Sequence, residues 1–147
     1  MSAHGPAARA CLDRYFDELA ARFPEGYDRE SDDAAALDDY TPPAGAFLVA
    51  QISGHPVGCG ALRTVSPGIG EIKRMWVSPE VRGRGAGRKL LEALEQAARE
   101  RDLHVVRLDT HSSLAQALRL YRTAGYREIA RFNNNPYAHH WFEKALD

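Results

Sequence analysis

Residues Val77–Gln96 read VSPEVRGRGAGRKLLEALEQ and join a strand pattern to a helical pattern through a loop rich in glycine and arginine. Leu90, Leu91 and Leu94 fall on one face of a helical repeat, which predicts an amphipathic helix whose first turn lies among the glycines. The backbone amides of a first helical turn have no partner within the helix and carry the positive end of its dipole. We therefore expect the loop to bind an anionic group such as a pyrophosphate.

The composition of this loop supports the same interpretation. Glycine allows the backbone to approach a ligand closely, and the neighbouring arginines add positive charge. The spacing is not that of two familiar phosphate loops, because it has neither the third glycine of the dinucleotide motif nor a Gly-Lys-Ser/Thr ending. Taken alone, the segment is equally consistent with a solvated basic loop. The residues that we expect to face the anion are Arg82, Gly83, Arg84, Gly85, Ala86, Gly87 and Arg88.

Apolar runs on both sides of the loop predict a mixed sheet. Upstream, turn residues separate Phe47–Ile52, Val57–Val65 and Glu71–Val77, which is typical of antiparallel strands. Downstream, His104–Asp109 is typical of a buried strand, and the order strand, helix, strand predicts a parallel pair. The other predicted elements are a helix that starts near Pro6 and is ended by Pro24 and Gly26, a short helix near Asp32–Leu37, a helix from Leu114 that stops at Gly125, and a last hairpin of Tyr126–Phe132 and Ala138–Phe142.

Length and composition limit the classes of function. The 147 residues fit one domain, residues 1–147, and the formal net charge of -1 provides no overall positive field for a nucleic acid. No apolar run approaches the roughly 20 residues that span a bilayer, and the N-terminus lacks a signal-peptide pattern. We predict a cytoplasmic protein without membrane or nucleic-acid partners, in which Cys11 and Cys59 are reduced packing residues.

Two motifs together resemble those of one enzyme family. The pattern Arg-x-x-Gly-x-Gly at Arg82, Gly85 and Gly87, after an apolar strand, resembles the acetyl-coenzyme A (acetyl-CoA) loop of the GNAT acetyltransferase superfamily. The segment Leu120–Tyr126, LYRTAGY, resembles the family's Leu-Tyr-x-x-x-Gly-Phe/Tyr segment. The resemblance covers roughly Phe47–Leu146 and makes a solvated basic loop the weaker interpretation.

The resemblance implies a fold and a reaction. The fold is α/β, with a central mixed, largely antiparallel sheet that is flanked by helices and splayed at the cofactor site. Most members begin with a strand, whereas only residues 1–5 precede the first helix here, so the first edge strand is expected to be missing or truncated. The reaction is direct transfer of acetyl from acetyl-CoA to an amine in a ternary complex, without a metal. The alternative is a non-catalytic acyl-CoA sensor with the same fold.

The resemblance also implies catalytic residues. Several members carry a carboxylate base at the position of Glu71, and such a base is needed because a protonated amine cannot attack a thioester. The alternative for Glu71 is a structural ion pair with Lys73 or Arg63, in which case water or a histidine (His111, His139 or His140) would take the proton. Tyr121 is the candidate acid for the departing thiolate, and its alternative is a core tyrosine.

The resemblance further suggests cofactor and acceptor contacts. Met75, Trp76 and Val77 would contact the cofactor, and backbone amides near Trp76 and Val77 would polarise the acetyl carbonyl. Leu114 stands where many members have an asparagine that contacts the cofactor. The acceptor, a small-molecule or peptide amine, is not identified, and a homodimer is compatible with the sequence. The candidate acceptor residues are Asn133, Asn135, Tyr137, His139 and His140, with Tyr15, Arg22 and Tyr27 on the other side.

Overall fold

The computed structural model describes residues 5–24, 40, 43 and 45–146. Three α-helices and six strands lie within those residues. They are α1 (Pro6–Arg22), β1 (Gly45–Ile52), β2 (His55–Ser66), β3 (Ile69–Val77), α2 (Ala86–Glu100), β4 (Val105–Thr110), α3 (Ala115–Thr123), β5 (Arg127–Ile129) and β6 (His140–Ala145), with a short 3-10 turn at Pro79–Val81 between β3 and the glycine loop.

The six strands form one open sheet in the order β1-β2-β3-β4-β6-β5. The β3 and β4 strands are parallel, and every other neighbouring pair is antiparallel. The parallel pair arises because the chain returns through α2 to the same end of the sheet, as a parallel connection requires. The prediction of a mixed, largely antiparallel sheet flanked by helices is confirmed.

A bulge and a splay shape the centre of this sheet. The β3 strand has an extra residue where Cys59 pairs with Trp76 and Ala61 with Lys73, and Arg74 there adopts a φ of +56°. Such a bulge bends its strand and increases the local twist. The pairing of β3 with β4 is confined to Ile69–Glu71 and Val105–Arg107, although both strands continue beyond it. The predicted splay is therefore present, and a gap opens between the carboxyl ends of the two strands.

The first helix, α1, covers one face of the sheet. It begins at Pro6, whose fixed φ suits a first helical turn, and ends before Phe23 takes up extended backbone. Leu12, Phe16 and Leu19 are buried against apolar residues of β1, β2 and β3. Cys11 belongs to the same packing, and its thiol donates to the backbone oxygen of Gly58. The helix thus forms one wall of the gap that the splay opens.

The opposite face of the sheet packs against α2, whose apolar stripe was predicted from the sequence. Leu90, Leu91 and Leu94 are buried there. A Cβ at Gly60 would lie 2.6 Å from Leu94 Cδ1, so glycine at this position of β2 allows close contact between helix and sheet. Removing a buried leucine from such a core typically costs about 2–5 kcal/mol. This packing fixes the N-terminus of α2 beside the end of β3.

The last hairpin and the region around the first helix compare with the predictions as follows. The last hairpin is shorter than predicted, with β5 limited to Arg127–Ile129, because the following residues turn inward and use their side-chain amides on β4. Within residues 5–24 no strand precedes α1, and β1 forms an edge of the described sheet. The predicted short helix at Asp32–Leu37 and the candidate Tyr27 lie outside the described residues.

Candidate active site

A cleft of about 410 Å³ opens between α1, the end of β3, the glycine loop and α3. We call it the larger cavity. Its lining includes Leu19 of α1, Met75 and Trp76 of β3, Gly85 of the loop and Tyr121 of α3. The predicted anion-binding loop and the predicted acid therefore lie on one continuous cavity.

The glycine loop contributes mainly backbone to this cavity. Gly83 and Gly85 have φ values of +82° and +79°, in the left-handed region that residues with a Cβ rarely adopt. Gly85 is the N-cap residue of α2, which begins at Ala86, so the first amides of that helix have no helical partners. Gly87 lies under α3, where a Cβ would come within 3.2 Å of Leu120. The loop has the geometry that anion binding requires, and binding itself stays a prediction.

Two of the three loop arginines are exposed. Arg84 points to solvent, and Arg88 donates to Thr123 Oγ1 of α3 at 3.2 Å. Exposed guanidinium groups beside a helix N-terminus add charge where an anion would lie. Arg88 lines the larger cavity together with Arg82 and Arg119, whereas Arg84 is not among its lining residues.

The third arginine, Arg82, has a structural contact that was not predicted. Its Nε donates to the backbone oxygen of Val77 at 2.8 Å, and its NH2 donates to the carboxylate of Glu18 on α1. Glu18 also accepts from Trp76 Nε1 at 3.1 Å and pairs with Arg22 at 2.9 Å. Burial alone would raise the pKa of Glu18, but these hydrogen bonds and charges outweigh it and hold the pKa below its ordinary value.

Glu18 therefore joins α1 to the loop and to the end of β3. No pattern in the sequence singled it out. Its one local signal is the i,i+4 spacing to Arg22, which is common on solvated helices and points to no site. Only the tertiary structure brings it to Trp76 and Arg82.

A smaller cavity of about 60 Å³ adjoins the larger one on the side of β4. Leu114, the N-cap residue of α3, has no side-chain capping hydrogen bond and lines both cavities with an apolar side chain. Tyr15 also lines both, whereas Arg22 lines the larger cavity. The residues that the two cavities share are Tyr15, Leu19, Met75, Leu114, Ala117 and Tyr121.

Tyr121 lies at the junction of the two cavities. It is 4% exposed, and its ring contacts those of Tyr126 and Phe142 at the edge of the core. Burial and the negative charge of Asp109 raise the pKa of its hydroxyl well above the ordinary value. The side chain therefore stays a neutral phenol at neutral pH, the form that can donate a proton.

Glu71 is buried in a polar network on β3. Arg63 Nε and NH2 each approach Oε1 at 2.9 Å, while Asn133 Nδ2 and Lys73 Nζ approach Oε2 at 3.1 and 3.7 Å. The ion pairs with Arg63 and Lys73 are those of the structural alternative. Glu71 is not among the described residues that line the two cavities. Its role as a base stays a prediction.

Asp109, at the end of β4, is the carboxylate that lines the smaller cavity. Asn135 donates to its Oδ1 at 2.9 Å, Asn133 donates to its Oδ2, and Lys73 Nζ lies 3.6 Å from Oδ2. In the sequence, Asp109 stood out only as the end of a predicted strand. A usable signal was present, because ligands of open α/β sheets bind beyond the carboxyl ends of strands where neighbours diverge.

Aromatic rings form another wall of the smaller cavity. Phe23 stacks on His111 with centroids 3.9 Å apart and lies 5.6 Å from Tyr137. His111 also lies 4.2 Å from His139. A planar or apolar group would gain contact area against these rings.

The five acceptor candidates separate into groups. Asn135 and Tyr137 line the smaller cavity, and Asn133 lies behind it between the two carboxylates. His139 packs on the outer side of His111 and contacts Ser112. His140 is turned away and pairs with Glu128 on the surface at 2.6 Å.

Two negative findings concern the described residues. No group of three or more His, Cys, Asp or Glu side chains there is arranged to hold a metal ion. None of the helices in that part of the chain is long and apolar enough to cross a membrane.

Comparison with known proteins gives consistent results. The model of the Acetyltransferase (GNAT) family matches residues 12–126. The IAA acetyltransferase of Azospirillum brasilense is 39% identical over 122 residues, which span 82% of this chain and 75% of that protein.

Solved structures share the fold. A GNAT-family acetyltransferase from Staphylococcus aureus has a TM-score of 0.82 at 22% identity, over 98% of this chain and 96% of that one. A GNAT phosphinothricin acetyltransferase from Sinorhizobium meliloti, solved in complex with AcCoA, has a TM-score of 0.72 at 18% identity, over 97% and 85% of the two chains.

Proposed function

The chain belongs to the GNAT acetyltransferase family, and we propose that it transfers acetyl from acetyl-CoA to the amine of a small-molecule or peptide acceptor. One observation carries the proposal: two adjoining cavities, which share Tyr121 and five other lining residues, extend from a glycine-capped helix N-terminus to the end of β4. Cofactor and acceptor would enter from opposite ends and meet at Tyr121. Direct transfer needs this arrangement, because both substrates are bound at once.

The residues of the larger cavity fit acetyl-CoA. The N-terminus of α2, with Gly83 and Gly85 in left-handed conformations and Arg84 and Arg88 beside it, suits a pyrophosphate. Apolar side chains, among them Leu114, line the same cavity and suit an uncharged pantetheine arm. When bound, acetyl-CoA supplies an acetyl group activated as a thioester.

The chain's own residues would orient the reactants and move protons. Backbone amides near Trp76 and Val77, just beyond the β3 bulge, are candidates to polarise a carbonyl oxygen. Tyr121, a neutral phenol that lines both cavities, would donate the proton of its hydroxyl to the leaving sulfur. A carboxylate beside the acceptor would take a proton from the ammonium group.

The acceptor is proposed only by chemical class. The smaller cavity combines a carboxylate, which suits an ammonium group, with the rings of Phe23, His111 and Tyr137, which suit an apolar or planar substituent. The relatives' names point to different acceptors, IAA in one case and phosphinothricin in another. An amine with an apolar or aromatic substituent is the class that these walls favour.

The test is release of free thiol from acetyl-CoA by the purified protein with phenethylamine, spermidine or alanine amide. We expect amine-dependent thiol release together with an acetylated product in mass spectrometry. Calorimetric binding of acetyl-CoA without turnover of any amine would favour the non-catalytic sensor. Absence of both binding and turnover would contradict the proposal.

A further inference from the structure

Two carboxylates lie near the acceptor end of the cleft, on neighbouring strands. Glu71 belongs to the last paired position of β3 and β4, opposite Arg107. Asp109 lies two residues beyond Arg107, where the strands have separated. Because side chains alternate along a strand, Asp109 is on the same face as Arg107. The splay therefore opens space at Asp109 and leaves Glu71 inside the paired part of the sheet.

The two carboxylates share Lys73 and Asn133 and differ in their other partners. Both oxygens of Glu71 have a cationic neighbour: Arg63 contacts Oε1 through two nitrogens and Lys73 lies near Oε2. Asp109 is held by two neutral amides, Asn133 and Asn135, with Lys73 at 3.6 Å. Amide donors fix the direction of a carboxylate without surrounding it. Asp109 is therefore both positioned and open to the smaller cavity, which it lines.

Asp109 is also close to the candidate acid. Both it and Tyr121 line the smaller cavity, and the charge of Asp109 contributes to the raised pKa of the Tyr121 hydroxyl. An amine between them would meet a proton acceptor and a proton donor in one cavity. Glu71 has no such relation to Tyr121 among the described contacts.

We propose that Asp109, rather than Glu71, takes the proton of the acceptor ammonium group, an inference that rests on the proposed acetyl transfer. The ammonium gives one proton to the Asp109 carboxylate, and the neutral nitrogen attacks the thioester carbon. The C–N bond forms and the C–S bond breaks, with the electron pair going to sulfur, which takes the Tyr121 proton. The nitrogen's second proton restores Tyr121, and the proton on Asp109 passes to solvent.

His111 lines the same cavity but is not placed to take the proton. His111 Nδ1 accepts a hydrogen bond from the backbone amide of Ser113 at 3.0 Å. Because Nδ1 already accepts this hydrogen bond, its lone pair is not available to an ammonium group. His111 therefore contributes its ring to the aromatic wall and leaves proton removal to Asp109.

The test compares two amines of the same size. Phenethylamine is protonated at neutral pH, whereas O-benzylhydroxylamine, with oxygen in place of one methylene, is not and needs no base. We expect Asp109→Asn to lower kcat/KM for phenethylamine roughly 10²-fold or more, and for O-benzylhydroxylamine less than about tenfold. Glu71→Gln is the matched control, since it makes the same change on the adjacent strand, and should affect both amines equally.

The pH profile is a second readout and applies to any alkylamine that the enzyme accepts. The Asp109→Asn to wild-type ratio of kcat/KM should rise toward one as pH passes the pKa of the amine, because solvent then supplies free amine. The charged and titratable groups that line this cavity with Asp109 are Lys73 and Arg74 from β3, Tyr15 from α1, Tyr121 from α3, and His111 and Tyr137 beyond β4; Glu71 shares the partners Lys73 and Asn133 with Asp109. Glu71→Gln leaves Asp109, Tyr121 and His111 unchanged, so its pH profile is the control for the contributions of those three groups.

Equal losses for the two amines in Asp109→Asn, or a selective loss in Glu71→Gln, would overturn the assignment. If the wild-type protein acetylates no amine, both the proposed function and this inference are wrong. If the wild type is active and Asp109→Asn loses the same share of activity toward both amines, only this inference is wrong. Activity toward O-benzylhydroxylamine reports that Asp109→Asn is folded. If that variant does not fold, Asp109→Ala with added formate replaces it; restoration of phenethylamine turnover by formate supports the assignment, and its absence contradicts it.

Discussion

The two ends of the cleft are constructed differently. At the loop end, one continuous segment supplies the site through its backbone, with left-handed glycines at the start of a single helix. At the acceptor end, side chains from α1, β3, β4, α3 and the segment before β6 meet around a much smaller cavity. We expect the loop end to tolerate side-chain changes unless they alter its backbone, and the acceptor end to depend on individual functional groups.

The largest expected effect is at the junction of the two ends. Tyr121→Phe removes one hydroxyl and should lower kcat roughly 10²-fold while leaving coenzyme A affinity within about twofold. Tyr126→Phe is the matched control, because Tyr126 is equally buried but donates to Glu95 in the core at 2.8 Å. It should lower the melting temperature and leave kcat nearly unchanged. Similar kcat values for the two variants would return Tyr121 to a core role.

The next largest effect is expected from a change in the backbone of the glycine loop. Gly85→Val places a branched side chain at a φ of +79° and should weaken coenzyme A binding at least tenfold, about 1.4 kcal/mol. Gly54→Val is the control, since its φ is +81°, its added Cβ also meets open space, and it lies in the turn between β1 and β2. Calorimetry should show normal affinity for the control. Unchanged affinity in Gly85→Val would contradict an anion site built on this backbone.

A smaller effect is expected where α1 supports the loop. Glu18→Gln should lower stability by about 1 kcal/mol and weaken coenzyme A binding a few-fold, because Arg82 and Trp76 lose a charged acceptor. Glu80→Gln, at an exposed pair with Arg14, is the control and should change little.

The same variant has a defined pH dependence. Because the folded-state pKa of Glu18 is lowered, its contribution is present above the unfolded pKa of about 4.3 and is lost as pH falls through the folded value. Wild type and Glu18→Gln should therefore converge in stability, as measured by denaturant titrations, once pH falls below the lowered pKa of Glu18. A constant difference at all pH values would assign the effect to packing alone.

The smallest effect is expected at His140, which sequence analysis grouped with the acceptor residues. His140→Gln should change kcat/KM less than about twofold, since the side chain pairs with Glu128 on the surface. The hydrogen bond from His140 lowers the pKa of Glu128. The small contribution of this pair to stability is therefore lost as pH falls through the lowered pKa of Glu128. A large loss of acceptor affinity would place His140 at the site after all.

The elements were predictable where the signal is local. The stripe Leu90, Leu91 and Leu94 predicted α2, and alternating apolar runs with turn residues predicted β1 to β3, because one periodic segment contains the whole pattern. The last hairpin was predicted to be too long because the contacts that shorten it are not local. Asn133 and Asn135 bind Asp109 across the sheet, and no property of their own segment indicates that partner.

The amino-acid sequence by itself determined the family, the mixed sheet and the position of the loop, because glycine spacing and hydrophobic periodicity are properties of contiguous residues. Only the tertiary structure decided which groups meet around the acceptor. It enclosed Glu71 with Arg63, brought Asp109 to the cavity shared with Tyr121, turned His140 outward and joined Glu18 to the loop. The outcomes for Glu71 and Asp109 depend on where β3 and β4 separate, and that point is set by strand pairing across the sheet, between residues far apart in the sequence.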